Sequence, residues 1–151
     1  MKLDHELMLQ RRRVLKHYEK SIRAVGQKHG LVYVETDILG FLHFNVQFNT
    51  ARDIATYCVK QKGNVSTAID SLVRRGYVTR TADPSDRRQM RLHLTDKAQS
   101  VISDICEVND RYADAMYGGL AEADYEEYMR LSRLILDRAQ TLVCVQAQDE
   151  D

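Results

Sequence analysis

Asn64-Val-Ser-Thr-Ala-Ile-Asp-Ser-Leu-Val-Arg-Arg-Gly76, followed at once by Tyr77-Val-Thr-Arg-Thr81, is the stretch that decides the fold. Val65, Ala68, Ile69, Leu72 and Val73 fall at i, i+3, i+4, i+7 and i+8, the spacing of one apolar face on an α-helix. The opposite face is left to Asn64, Ser66, Thr67, Asp70, Ser71 and Arg74. Gly76 stops this helix, because a residue without a side chain enters the left-handed conformation at little steric cost. The period then changes. Tyr77–Thr81 and Met90–Leu94 are short, β-branched or alternating segments, separated by Ala82-Asp-Pro-Ser-Asp-Arg-Arg-Gln89 with its turn-forming Asp-Pro-Ser. A two-stranded hairpin with a charged tip is predicted.

Upstream, Thr50-Ala-Arg-Asp53 has the spacing of a capping box, in which a hydroxyl and an acid three residues on satisfy the free amides of a helix start. It opens a short helix over about 50–58 with Ile54, Ala55 and Cys58 inside. Ile38-Leu-Gly-Phe-Leu-His-Phe44 is apolar on nearly every side and predicts a buried helix over about 33–45. Leu3, Leu7, Val14, Leu15, Tyr18, Ile22 and Val25 recur at helical spacing and predict a long amphipathic helix over about 4–28, stopped by Gly30. Downstream, Thr95 is placed as an N-cap for a helix over about 96–117 that carries Ala98, Val101, Ile102, Ile105, Val108 and Tyr112 inward. Gly118-Gly119 breaks that helix, and Tyr125, Tyr128, Leu131, Leu134, Ile135, Ala139 and Leu142 mark a last one over about 122–144. The fold class is therefore mainly α with a small β-hairpin, one domain over residues 1–151.

Composition excludes several functions. At 151 residues the chain suits a single core. No apolar run approaches the ~20 residues of a membrane span, and the N-terminus MKLDHELMLQRRR has no apolar signal region, so a cytoplasmic protein without membrane contact is expected. Cys58, Cys106 and Cys144 lack CxxC spacing and read as buried free thiols, with a thiol redox sensor as the alternative. His17, His29, Glu35 and His43 share no metal-ligand spacing and read as ordinary polar or core residues, so neither metal nor cofactor is expected. No Ser/His/Asp, Cys/His or paired-carboxylate motif is present, and Gly40, Gly63 and Gly76 form no phosphate loop, which argues against an enzyme. Net charge is zero but unevenly distributed. Residues 60–91 hold eight bases (Lys60, Lys62, Arg74, Arg75, Arg80, Arg87, Arg88, Arg91) against three acids, and residues 104–151 hold four bases against twelve acids. A basic block of this kind suits a polyanion, because neutralised phosphates release their counterions.

Two short helices with a tight link, the second polar on its outer face and followed directly by a hairpin, meet the requirement of a winged helix-turn-helix over about 46–95. Small hydroxyl and amide side chains can approach base edges in a major groove, and flanking Lys and Arg can hold phosphates. The same features on charge and polarity alone also suit a solvated surface. Gly76-Tyr-Val-Thr-Arg80, then Asp83-Pro-Ser-Asp-Arg-Arg88, then Leu94-Thr95 resembles the wing of the multiple antibiotic resistance regulator (MarR) family. Arg52-Asp-Ile-Ala55 and Val65–Leu72 resemble that family's third and recognition helices, so the likeness covers about residues 36–105.

The resemblance implies a homodimeric regulator that binds double-stranded DNA, with helices of about 4–28 and 96–144 as its dimerisation region. It implies a DNA-contacting set of Lys62, Asn64, Ser66, Thr67, Ser71, Arg74, Asp86, Arg87 and Arg88. Ser66 and Thr67 would approach bases, Arg74 a phosphate, and Arg88 the minor groove, with Asp86 orienting Arg88 through a salt bridge. It implies a ligand-responsive repressor, released by a small-molecule effector acting where the dimerisation and DNA-binding parts join. The alternative from another class is a winged helix that engages an acidic protein rather than DNA.

Overall fold

The computed structural model describes residues 4–58, 62–86 and 88–146, the side chains of 62–63 and 141–146 excepted. In chain order the elements are α1 (His5–Lys28), α2 (Tyr33–Phe44), α3 (Ala51–Tyr57), α4 (Lys62–Arg74), β1 (Val78–Ala82), β2 (Met90–Leu94), a 3-10 turn (Asp96–Ala98), α5 (Gln99–Tyr117) and α6 (Glu122–Gln146). The expected elements all form, each within a few residues of its expected bounds. No helix among the described residues is long and apolar enough to cross a membrane.

The chain divides into two compact units, residues 1–112 and 113–151. The first is built around α2, whose Ile38 and Leu39 are fully buried together with Ile54 of α3, Leu72 of α4, Val78 of β1 and Ile105 of α5. These side chains belong to one cluster, the continuous interior that a single folding unit requires. α4 packs against α2, α3 and β1 through the apolar face read from its spacing, with Val65, Ala68, Ile69 and Leu72 buried. β1 and β2 pair antiparallel in the register Val78↔Leu94 to Ala82↔Met90. An isolated bridge joins Thr50 to Arg91, and the Leu92 amide donates to the Asn49 carbonyl, so the segment before α3 lies along β2 as a short third edge.

Local chemistry sets the helix ends. Asp4 accepts the Leu7 amide at the start of α1, and Glu35 accepts the Val32 amide at the start of α2. The capping box of α3 forms as its spacing predicts: the Thr50 amide donates to Asp53, and the Asp53 amide donates to the Thr50 hydroxyl. Gly76, with φ +75°, turns α4 into β1. Thr95 holds the N-cap position before the 3-10 turn, but its hydroxyl donates to the Gly76 carbonyl at 2.7 Å rather than capping the helix. At the far end of α1, Lys28 and His29 both reach Asp104 on α5, and their hydrogen bonds hold its carboxyl below the usual carboxylate range.

α1 buries only Ile22, Val25 and Gly26, while Leu7, Leu9, Val14 and Leu15 remain 41–61% exposed. The second unit comprises the end of α5, the Gly118-Gly119 turn and α6. Tyr117 packs its ring against Tyr125 and Tyr128, and Leu131, Leu134, Ile135 and Leu136 stand exposed along α6.

Gly26 marks the tightest approach of α1 to the chain that follows. A Cβ there would stand 2.5 Å from Thr36 Oγ1 and 2.8 Å from the backbone oxygen of Leu31. Because the second neighbour is backbone, the contact cannot be relieved by a rotamer change. Gly26→Ala is therefore expected to destabilise the protein by about 1–3 kcal/mol, the usual cost of overpacking, in a denaturant melt. A variant as stable as the parent would show that α1 and α2 separate easily.

Candidate nucleic-acid interface

The polar residues of α4 lie where the periodicity predicts. Asn64, Ser66, Thr67, Asp70 and Arg74 are exposed and Ser71 is half-buried. Between this face and the start of α2 runs a groove of about 540 Å³, bordered by Val32, Thr67, Ser71 and Arg74. Lys62 begins α4, but its side chain lies outside the described residues, as does Arg87 entirely.

The structure sorts the basic block into two kinds of cation. Arg80 on β1 pairs with Asp70 at 2.5 Å, tying the wing to α4 and neutralising the one acid on that helix's outer face. Arg91 on β2 pairs with Asp83 at 2.5 Å and donates to Asn49 Oδ1 at 3.0 Å. Arg75 donates to Glu35 at 3.3 Å and to the Gly30 carbonyl at 3.0 Å. Arg74 and Arg88, by contrast, are exposed and have no ion-pair partner among the described residues. Lys60 lies outside the described residues. An unpaired surface guanidinium is free to meet an external anion without first breaking an internal bond.

The wing tip is organised by Asp83, which is 3% exposed. Its carboxylate accepts the Ser85 amide and hydroxyl, the Asp86 amide and the Arg91 guanidinium. These bonds, those from Ser85 first, hold its carboxyl far below the usual range. Asp86 departs from expectation. Its carboxylate accepts the backbone amide of Arg88 at 3.0 Å, and no salt bridge joins it to the Arg88 guanidinium among the described residues. Two residues apart on a tight turn, the carboxylate closes an Asx-type loop instead of reaching the side chain. Asp86 thus shapes the tip and leaves the Arg88 side chain unpaired.

Arg75 is the residue that sequence reasoning missed. Its backbone oxygen accepts Lys97 Nζ at 2.8 Å, its guanidinium and the Lys97 ammonium both stand over the Tyr77 ring, and Glu35 beneath it is 4% exposed. One side chain therefore joins the α1–α2 turn, the start of α2 and the end of α4. The only sequence signal was its place in the charge block, which does not separate a clamp from a contact.

The residues weighed for metal binding do not converge. His17 meets Tyr112, His29 meets Asp104, Glu35 meets Arg75, and His43 lies 3.9 Å from Cys106 Sγ. Among the described residues no group of three or more His, Cys, Asp and Glu is placed to hold a metal ion. The remaining concavity of interest is a cavity of about 350 Å³ among α1, α2, α5 and the end of α3. Asp37 stands in it, its carboxyl pushed up to about 6 by burial and then by the like charge of Glu19. The Cys58 thiol, in the same lining, is pushed up to about 12 by burial and by Asp37, which opposes the thiolate that a redox sensor needs. Cys144 lies outside the residues whose side chains are described.

Comparison with known proteins gives consistent neighbours. The sequence profile of the MarR family matches residues 29–89, from the end of α1 through the wing tip. The uncharacterised helix-turn-helix-type transcriptional regulator YkoM of Bacillus subtilis (strain 168) is 28% identical over 113 residues, spanning 75% of this chain and 72% of YkoM. A MarR transcriptional regulator from Methanosarcina mazei Go1 superposes with a TM-score of 0.70 at 18% identity, covering 92% of this chain and 99% of that one. The S. aureus MepR–DNA complex superposes with a TM-score of 0.65 at 17% identity, covering 91% and 99%. The fold is thus that of the winged helix-turn-helix regulators.

The two kinds of arginine separate in a stability measurement. Arg88→Ala is expected to leave the melting temperature unchanged, within the ~0.5 kcal/mol of surface substitutions. Arg75→Ala, which strips the buried Glu35 of its cation, is expected to cost about 1–3 kcal/mol. Circular dichroism melts of both variants decide it, and equal melting temperatures would contradict the distinction.

Proposed function

We propose that the chain is a transcription regulator of the MarR family, whose profile matches residues 29–89, and that it acts as a homodimer reading a pseudo-palindromic operator. In this reading α4 enters the major groove, Arg74 meets a phosphate, and Arg88 on the wing enters the adjacent minor groove. Ser66 and Thr67 approach base edges, with Asn64 and Ser71 beside them and Lys62 and Arg87 adding to the positive surface. One observation carries the reading: two exposed arginines, unpaired among the described residues, flank an exposed face of small hydroxyl side chains, while the block's paired cations are tied down. Arginine suits a narrow minor groove because negative potential concentrates there. Asp86 contributes by shaping the tip rather than by touching DNA.

Dimerisation is supported by unpartnered apolar surface. Leu7, Leu9 and Leu15 on α1, and Ile135 and Leu136 on α6, are each at least half exposed. Exposure of this extent on two amphipathic helices fits a symmetric interface between copies. The regulator is a repressor in this reading, and a small-molecule effector seated in the cavity among α1, α2, the end of α3 and α5 releases it from DNA.

Light scattering at micromolar concentration is expected to give the mass of two chains. Arg88→Ala is expected to weaken operator binding by about 1–3 kcal/mol and to lower the salt slope by about one. Arg74→Glu is expected to weaken binding to all sequences alike. A single-chain mass, or an Arg88→Ala variant that binds as the parent does, would overturn the corresponding part.

A further inference from the structure

The cavity in the first unit carries an electrostatic signature that selects its ligand. Its rim and walls are aromatic, with Tyr18 on α1, Tyr33, Phe41 and Phe44 on α2, and Tyr57 at the end of α3. Phe41 and Tyr57 lie stacked, with centroids 6.2 Å apart and planes 19° apart. Two carboxylates, Asp37 and Glu19, line the same space. Neither has an ion-pair partner among the described residues. Arg23, outside that lining, is set over the Tyr33 ring at 4.4 Å. A cavity of about 350 Å³ is of the size that takes a small organic molecule.

We propose that this cavity binds a small organic cation with an aromatic or apolar body, with Asp37 as its counter-ion and the aromatic rings as its walls. The assignment deepens, and as an effector site rests on, the effector-responsive reading above. Ring faces carry negative charge density and attract ammonium groups, most strongly where water is excluded. A half-buried carboxylate with no cation is costly to keep ionised, and a bound cation removes that cost. The same arrangement repels an organic acid, because both lining charges are negative. Cys58, whose thiol is raised in part by Asp37, lines the same cavity and closes α3, the helix before α4. Ligand and helix end therefore meet in one cavity.

The test is calorimetric titration of the full chain, without DNA, by benzyltrimethylammonium, benzyl alcohol and benzoate at pH 7.5 and pH 5. The cation is expected to bind tightest and benzoate weakest. Asp37→Asn is expected to lose about tenfold in cation affinity, the equivalent of one pKa unit. The probe's charge is permanent, so pH acts on the protein alone. Asp37, with its carboxyl near 6, is charged at pH 7.5 and mostly neutral at pH 5, so wild-type affinity falls by about fivefold between them, short of the full tenfold because roughly a tenth of the protein is still charged at pH 5. The charged and titratable groups around Asp37 are Glu19 and Tyr18 on α1, Tyr33 on α2, and Tyr57 and Cys58 at the end of α3, with Arg23 of α1 set over the Tyr33 ring. The Asn variant isolates Asp37 from these by flattening the pH profile.

Should Asp37→Asn fail to fold by circular dichroism, Glu19→Gln and the wild-type profile decide: a weaker cation affinity in the first and a loss at pH 5 in the second support the site. Benzyl alcohol or benzoate binding as tightly as the cation overturns it, as does no cation binding at millimolar concentration. An Asn variant that keeps both affinity and pH dependence also overturns it. A parallel operator titration keeps the readings apart. Cation binding without operator binding sinks the regulator reading and leaves the site standing, and operator binding without cation binding does the reverse.

Discussion

The structure depends on burial of one face of α4. Ile69 and Leu72 are 2% and 0% exposed against α2, α3 and β1, and each fully buried side chain of this kind contributes about 1.5–3 kcal/mol. Since a helix has one buried face here, its other face is outward by geometry, and that face carries Asn64, Ser66, Thr67, Asp70 and Arg74. The ends of the helix are then fixed by polar contacts rather than by more apolar surface. Gly76 turns the chain, Tyr77 donates its amide to the Leu72 carbonyl, and Arg75 clamps the helix end to Glu35 and Gly30.

Electrostatics in this unit follows from the same economy of position. Acids sit beneath the arginines that hold the scaffold together: Glu35 under Arg75, Asp70 beside Arg80, Asp83 against Arg91. A count of charges over residues 60–91 therefore overstates the cation available to a partner. Among the described residues Arg74 and Arg88 remain, one at the end of α4 and one at the tip of the wing. Asp37 and Glu19, by contrast, have no ion-pair partner among the described residues, and they line a cavity rather than a joint.

Much of this was legible in the sequence because it is local. The 3.6-residue period of Val65–Val73, the Thr50/Asp53 box and the Gly76 stop are each determined within a few residues, and each forms as read. What escaped is long-range. Arg75 meets Glu35 forty residues away, Arg91 meets Asn49, and Thr95 turns its hydroxyl to Gly76 rather than to its own helix. Asp86 and Arg88 are local yet were misread, since spacing shows that two groups are near but not whether a carboxylate meets a side chain or an amide. The cavity was not visible at all, because its carboxylates and rings come from separate helices with no shared motif.

The central claim is that α4 and the wing form one DNA-reading surface, used twice by a two-fold dimer. Hydroxyl-radical footprinting on a duplex selected from a random pool tests it most directly. The account predicts two equivalent sets of protected sugars related by a dyad, with half-site centres about one helical turn, roughly 34 Å, apart, each accompanied by a minor-groove protection that disappears in Arg88→Ala. A single asymmetric footprint, or a symmetric one whose minor-groove protections survive that substitution, would contradict it.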